Sequence, residues 1–397
     1  MFELPNEREF GAVFPAGEYD ERRRKVREAM TEKGIDLLYV SSPRNINYLT
    51  GFDSIWFYHA TPTGVAVRVD SEDVIFFDSY HERMAKEFCY VTEAVFFGFP
   101  QEHFDVANSI VDTLKDRGWL GGTVGIEKWA HNPSPAVLAA IEEGMEAAGA
   151  NVADGSWVVD TVALVKSPLE IACMKKAAGI ADIGIGAGRK ALRPDMTEIE
   201  IMSEIHYAMG RAGGEDAALR TSVMSQAVIM PHKPATRHKV QMGEMIFADI
   251  CGVYNRYHAN LCRFFSLGEP TKAANERMQK LAGSLPTVIE AIKPGDPVTA
   301  VGDAMQDYID SVGLKELASR TGYSLGISIP PDWVGHTWLD YYGFVDAHFV
   351  PGTVMNYEIF SRDPDIPPVG FIDTLLMTET GLEVLSKVGQ ELLVAGA

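Results

Sequence analysis

The chain has 397 residues, 46% hydrophobic and 23% charged, with a formal net charge of −20 and a pI near 4.9. That is enough apolar material for two packed domains. So acidic a surface disfavours nucleic acid or an anionic membrane as a partner and suits a soluble protein.

The four cysteines, Cys89, Cys173, Cys251 and Cys262, form no CxxC pair and no zinc framework, so reduced thiols are expected. The first ten residues show neither a basic nor an apolar region, and no secretory signal is expected. No apolar run approaches the ~18 residues of a membrane span, and the expected location is cytoplasmic.

Helical and strand-like patterns alternate through residues 1–160, an α/β signature. Glu18 to Lys33 is charged and amphipathic and predicts a helix. Ile35-Asp-Leu-Leu-Tyr-Val-Ser-Ser predicts a strand running into a polar loop. Two more strands follow, Gly64 to Val69 and Asp73 to Asp78, joined by a short turn. Helices over 103–117 and 134–149 flank the strand Thr123-Val-Gly-Ile-Glu. A boundary falls between Asp160 and Pro168, giving domains 1–160 and 161–397. The second opens on a helix with Ser167 as N-cap, Pro168 at its first position and Glu170 in its first turn. Helices over 168–191, 196–212, 271–291 and 298–313 then interleave with strands near 245–251, 257–266, 353–360 and 371–378, an α+β domain.

Four segments of the second domain carry chemistry. His232 lies in the Pro-punctuated loop Met230-Pro-His-Lys-Pro-Ala-Thr-Arg, where an imidazole can shuttle protons or simply sit on a basic surface. Asp249 falls inside the apolar run Met245-Ile-Phe-Ala-Asp-Ile, where a carboxylate is costly unless it is paired or functional. On the returning strand stand His258 and Asn260. Gly322-Tyr-Ser-Leu-Gly and Pro330-Pro-Asp-Trp mark tight loops presenting Tyr323 as a donor and Trp333 as a stacking surface. Glu358 lies in a core strand after Pro351-Gly352, and with Asp249 makes a two-acid site plausible. Asp373 is a third acid in a strand-like run.

In order and spacing, these segments resemble the creatinase/methionine-aminopeptidase superfamily over most of the chain. The resemblance implies a C-terminal pita-bread domain behind a smaller α/β domain. It also implies a homodimer whose partner N-domain closes the pocket. Metallopeptidases of that family hold two metal ions with five ligands, and the matching positions here are Asp249, Asn260, Tyr323, Glu358 and Ile372. Only two of these keep a ligand, so no metal and no other cofactor is expected. Two metal-free branches are similar to this chain. Creatinases share the Pro-His-Lys-Pro-Ala-Thr-Arg stretch, with His232 as the catalytic histidine, but Gly64 and Gly335 or His336 stand where their arginines are expected. Ectoine hydrolases share Gly322-Tyr-Ser-Leu-Gly, Pro330-Pro-Asp-Trp and Leu49-Thr-Gly-Phe-Asp-Ser-Ile-Trp-Phe-Tyr, and usually carry Glu where this chain has Asp249.

The expected activity is metal-independent hydrolysis of a non-peptide C–N bond in a small amidine or guanidine. The alternative is a metal-dependent Xaa-Pro dipeptidase or a lyase on the same fold. Asp249 is expected as nucleophile or base, His232 as the proton carrier to the leaving nitrogen, and Glu358 as the acceptor of substrate N–H groups. Trp56, Tyr58, Tyr323, Trp333, Asn260 and His258 are expected to line the substrate.

Overall fold

The structure, a computed structural model, describes residues 13–58, 62–79, 81–98, 103–225, 232–314, 317–333, 347–363 and 365–396. The chain separates into two units, Met1–Ala163 with Ile329–His336 and Leu164–Ser328 with Thr337–Ala397. No helix among the described residues is long and apolar enough to cross a membrane.

In the N-terminal unit, α1 (Ala16–Lys33) leads into β1 (Leu37–Val40) and the short α2 (Pro43–Thr50). There follow β2 (Gly64–Arg68), β3 (Val74–Asp78), α3 (Glu82–Phe88), β4 (Glu93–Phe96), α4 (His103–Asp116), β5 (Thr123–Ile126), α5 (Pro135–Ala147), β6 (Asn151–Asp154) and α6 (Val158–Ala163). The strands order as β4-β3-β2-β1-β5-β6, with β1 antiparallel to β2 and parallel to β5. Every residue of β1 is buried, which is why its sequence is a continuous apolar run rather than an alternation.

Where the sequence suggests a polar loop after β1, the structure has α2, because both of its ends are satisfied from elsewhere in the unit. The Glu127 carboxylate accepts from the Ser41 and Ser42 amides at 2.7 Å each and from Asn45 Nδ2 at 2.6 Å. At the other end, Arg22 and Arg23 of α1 donate to the carbonyls of Tyr48 and Leu49 at 3.1 and 2.9 Å.

The C-terminal unit opens on α7 (Pro168–Ala191), whose predicted capping box is present: Glu170 N donates to Ser167 Oγ at 3.3 Å and Ser167 N to Glu170 Oε2 at 2.9 Å. After α8 (Glu198–Arg211) come β7 (Ser222–Ser225), β8 (Met245–Tyr254), β9 (Tyr257–Leu267), α9 (Lys272–Ala282), α10 (Ser284–Ala291), α11 (Ala300–Ser311), β10 (Leu317–Thr321), β11 (Val354–Asp363), β12 (Ile366–Thr378), β13 (Gly381–Val384) and β14 (Leu393–Ala395). The main sheet runs β10-β11-β12-β9-β8-β7. Helices α7 and α8 pack on β8 and β9 through Ile185, Ile205, Ile246 and Ile250. Helices α9 to α11 pack with β11 and β12 through Leu281, Met305, Tyr357 and Phe371.

Two local differences from the sequence reading have clear causes. The β8–β9 hairpin is longer because Asn255 and Arg256 form a two-residue turn with φ of 52° and 64°, the twist that lets strands run right up to it. The helix expected over 271–291 is two helices, broken at Gly283, with Pro286 supplying no N–H in the first turn of the second. At Gly252, an added Cβ would overlap the Ala177 carbonyl, so α7 lies on the hairpin only with glycine there.

Beneath the sheet, Arg263 and Asp373 are an ion pair at 2.8 Å with no exposed surface on either side chain. All five Arg263 donor protons are placed: Nε on Gly389 O, Nη1 on Cys262 O and Ile372 O, Nη2 on Asp373 Oδ1 and Val388 O. This node ties β9, β12 and the 388–389 segment together. Asp373→Ala leaves a buried guanidinium unmatched, and denaturant unfolding should show a loss of about 3–5 kcal/mol; a loss below about 1 kcal/mol would show the pair to be dispensable.

Candidate active site

Strand register builds the site. Residues directly opposed in neighbouring strands share a face of the sheet. Ser222 opposes Asp249, Asp249 opposes Cys262, Cys262 opposes Ile372, and Ile372 opposes Glu358. This row crosses β7, β8, β9, β12 and β11. One step along it lie Cys251 opposite Asn260, and Thr374 opposite Asn356.

The two acids are joined by two amides. Asn260 Nδ2 donates to Asp249 Oδ1 at 2.8 Å. Asn356 Nδ2 donates to Glu358 Oε1 at 2.5 Å and reaches Asn260 Oδ1 at 3.4 Å. Tyr323 hydrogen-bonds the Glu358 carboxylate through its side chain, while its backbone N–H donates to Asn356 Oδ1 at 2.8 Å. Thr374 Oγ1 donates to the Asn260 carbonyl at 2.8 Å. The result is a continuous chain: Asp249, Asn260, Asn356, Glu358, Tyr323. Asn356 was not among the residues expected at the site. Its signal was its place two residues before Glu358 on the same strand, hence on the same face.

Both acids hold their protons more tightly than usual. Burial pushes Asp249 up to about 6, against the Asn260 amide and the nearby His232 imidazole, which pull it down. Burial and then the charge of Asp249 push Glu358 up to about 7, against the hydrogen bonds from Tyr323 and Asn356. The pair therefore titrates across the neutral range. Cys251 and Cys262 are buried, and that burial, then the charge of Asp249, raises both thiols well above their ordinary value. They remain thiols and offer no nucleophile.

His232 stands exposed in a turn, with φ 63°. His258 is fully buried, with Nδ1 on Arg256 O at 2.8 Å and Nε2 accepting from Ala218 N at 2.9 Å. Burial first and Arg256 second hold it down at about 3, so it is neutral, and its ring nitrogens serve the backbone. The position expected to touch substrate is thus committed within the chain. Asp373 faces Arg263 on the opposite side of the sheet from Glu358, so neither it nor His258 is available as a replacement metal ligand. Trp56, half-buried in the turn Ile55–Tyr58, and Trp333, also half-buried, belong to the N-terminal unit. The Tyr58 side chain, Gly335 and His336 lie outside the described residues.

Divalent ions do not fit this donor set. Asn260 and Asn356 aim N–H groups at the two carboxylates, where a metal ion needs open lone pairs. Ile372, buried opposite Glu358, has no donor atom. No group of three or more His, Cys, Asp or Glu side chains is placed to hold a metal ion among the described residues.

The profile of metallopeptidase family M24 matches residues 172–379, and that of the creatinase/prolidase N-terminal domain matches residues 22–165. The chain is 27% identical to the ectoine hydrolase of Halomonas elongata over 403 aligned positions, covering 96% of this chain and 98% of that one. It is 23% identical to the Xaa-Pro dipeptidase of Pyrococcus furiosus over 376 positions, covering 94% and 99%. Among solved structures, the Xaa-Pro dipeptidase from Bacillus anthracis superposes with a TM-score of 0.80 at 22% identity, over 96% of this chain and 100% of that one. The prolidase from Pyrococcus horikoshii gives 0.77 at 21%, over 94% and 99%. The pita-bread fold expected from the resemblance is thus shared with these proteins. This chain belongs to metallopeptidase family M24, a family of hydrolases, and carries the creatinase/prolidase N-terminal domain ahead of it.

Proposed function

We propose that this chain hydrolyses a non-peptide C–N bond in a small cationic amidine or guanidine, without a metal ion. One observation carries the reading: on the sheet face that bears Asp249 and Glu358, Asn260 and Asn356 each turn an N–H toward a carboxylate and Ile372 offers no donor, so two carboxylates alone do not make a dinuclear site. Two acids on one sheet face suit a planar cation whose central carbon is electrophilic. The similarity to an ectoine hydrolase over nearly the whole chain supports this class, and ectoine is itself a cyclic amidine.

Asp249 attacks the central carbon or takes the proton of the water that does. His232 delivers a proton to the departing nitrogen and later recovers it. Glu358, ionised on binding a cation, accepts the substrate N–H groups, and Tyr323 fixes its orientation. The similarity to Xaa-Pro dipeptidases at comparable coverage favours a second reading, metal-dependent cleavage of proline dipeptides.

A mass-spectrometric assay against amidines, guanidines, cyclic amides and proline dipeptides separates them. Turnover of an amidine or guanidine, unaffected by chelator, with far less than one metal ion per chain, is the expected result. Turnover confined to proline dipeptides and restored by a stoichiometric divalent ion would replace the first reading with the second.

A further inference from the structure

One buried carboxylate of the C-terminal unit has no part in that scheme. Glu198 is the first residue of α8 and has no exposed surface. An acid at a helix start usually serves the helix's own amides. Here that duty is discharged by the capping box of Thr197 and Glu200, with contacts of 2.7 and 3.1 Å. Glu198 turns outward to other segments instead. It accepts from Ser225 N at 2.9 Å, Thr236 N at 2.8 Å, Thr236 Oγ1 at 2.5 Å and Lys233 Nζ at 3.3 Å. The backbone adds two ties, Glu198 N to His238 O and Ile199 N to Thr236 O, each at 3.1 Å.

These partners converge on His232. Its neighbour Lys233 is held by its side chain on Glu198 and by its carbonyl, which accepts from Ser222 Oγ at 2.8 Å. Ser222 is the cross-strand partner of Asp249. His232 itself has a left-handed backbone at φ 63°, a conformation that is unfavourable for a non-glycine residue and persists only when its surroundings impose it. Burial penalises the Glu198 charge, but its donors more than offset that and hold its pKa below the usual value, so the anchor is charged at neutral pH.

We propose that Glu198 is a positioning residue for His232, fixing the Lys233–Thr236 segment against β7 and so aiming the imidazole at the Asp249 end of the site. The proposal rests on the reading of His232 as proton carrier. Two measurements on the full chain test it. In steady-state kinetics, Glu198→Gln should lower kcat about 10- to 100-fold with KM nearly unchanged, and should add no further loss in a His232→Ala background. In a ring-selective proton–carbon NMR spectrum, which needs no substrate, the His232 resonance should move in Glu198→Gln. Should that variant fail to fold, Thr236→Val removes one hydroxyl donor, and a loss of about 3- to 10-fold in kcat is expected, with Thr236→Ser restoring it. A folded Glu198→Gln chain with unchanged kcat, an independent loss on top of His232→Ala, or an unmoved His232 resonance each overturns the proposal. Full turnover by His232→Ala instead sinks the proton-carrier reading, and the resonance alone then decides whether Glu198 positions the ring.

Discussion

On the proposed amidine or guanidine substrate, His232→Ala is expected to lower kcat about 100-fold or more, with a much smaller effect on KM. The imidazole is exposed and acts on Asp249 through its charge, so its loss removes a proton donor without opening a cavity. The same substitution leaves a second mark. Burial raises Asp249, while the Asn260 amide and the imidazole pull it down. Without the imidazole, the acid limb assigned to Asp249 moves to higher pH. A pH profile of kcat/KM therefore reads both effects in one experiment. Near-normal turnover at every pH would remove His232 from the reaction.

Glu358→Gln separates activity from stability in opposite directions. The neutral side chain keeps its size and can still accept from Tyr323 or Asn356, but it cannot make charge-assisted bonds to a cation. A loss of about 10- to 100-fold in kcat/KM is expected from bonds worth about 1.5–3 kcal/mol. The wild-type limb at about 7 disappears, leaving the Asp249 limb at about 6. Stability follows the other sign. Because the folded-state pKa of Glu358 is raised, the native state binds the proton more tightly than the unfolded chain does. Its contribution is full below the unfolded value of 4.5 and is lost as pH rises through about 7. That displacement corresponds to on the order of 3 kcal/mol at about 1.36 kcal/mol per pH unit. Thermal unfolding should therefore show Glu358→Gln more stable than the parent at pH 8, with the gap closing toward pH 4. A variant less stable than the parent at pH 8 would mean that the carboxylate is not strained by its burial.

Much of this architecture was legible because it is written in local spacing. Ser167 and Glu170 stand three residues apart before an apolar helix, and the box they form is what that spacing dictates. Asp249 and Glu358 stood out as charges inside apolar strands. Other features were hidden because their partners are distant in sequence. Helix α2 is short and made partly of polar residues, and it forms because Glu127, Arg22 and Arg23 complete its ends. Asn356 reads as an ordinary polar strand residue until register sets it beside Asn260. Glu198 reads as a helix-start acid until its four contacts to β7 and the His232 loop are traced. His258 shows the converse: a histidine beside the key hairpin looks chemical in sequence, but its nitrogens are consumed by backbone groups.

The amide bridge between the two acids also bears on how such a protein can diverge. Asn260 and Asn356 each donate a proton toward a carboxylate, and each orients the other. Exchanging Asn260 alone for aspartate sets a third acid beside two that already compete for protons, with Asn356 still directed at Glu358 and Ile372 still inert. A two-ion site on this sheet would therefore require replacement on several strands together, because no single exchange supplies the missing donors.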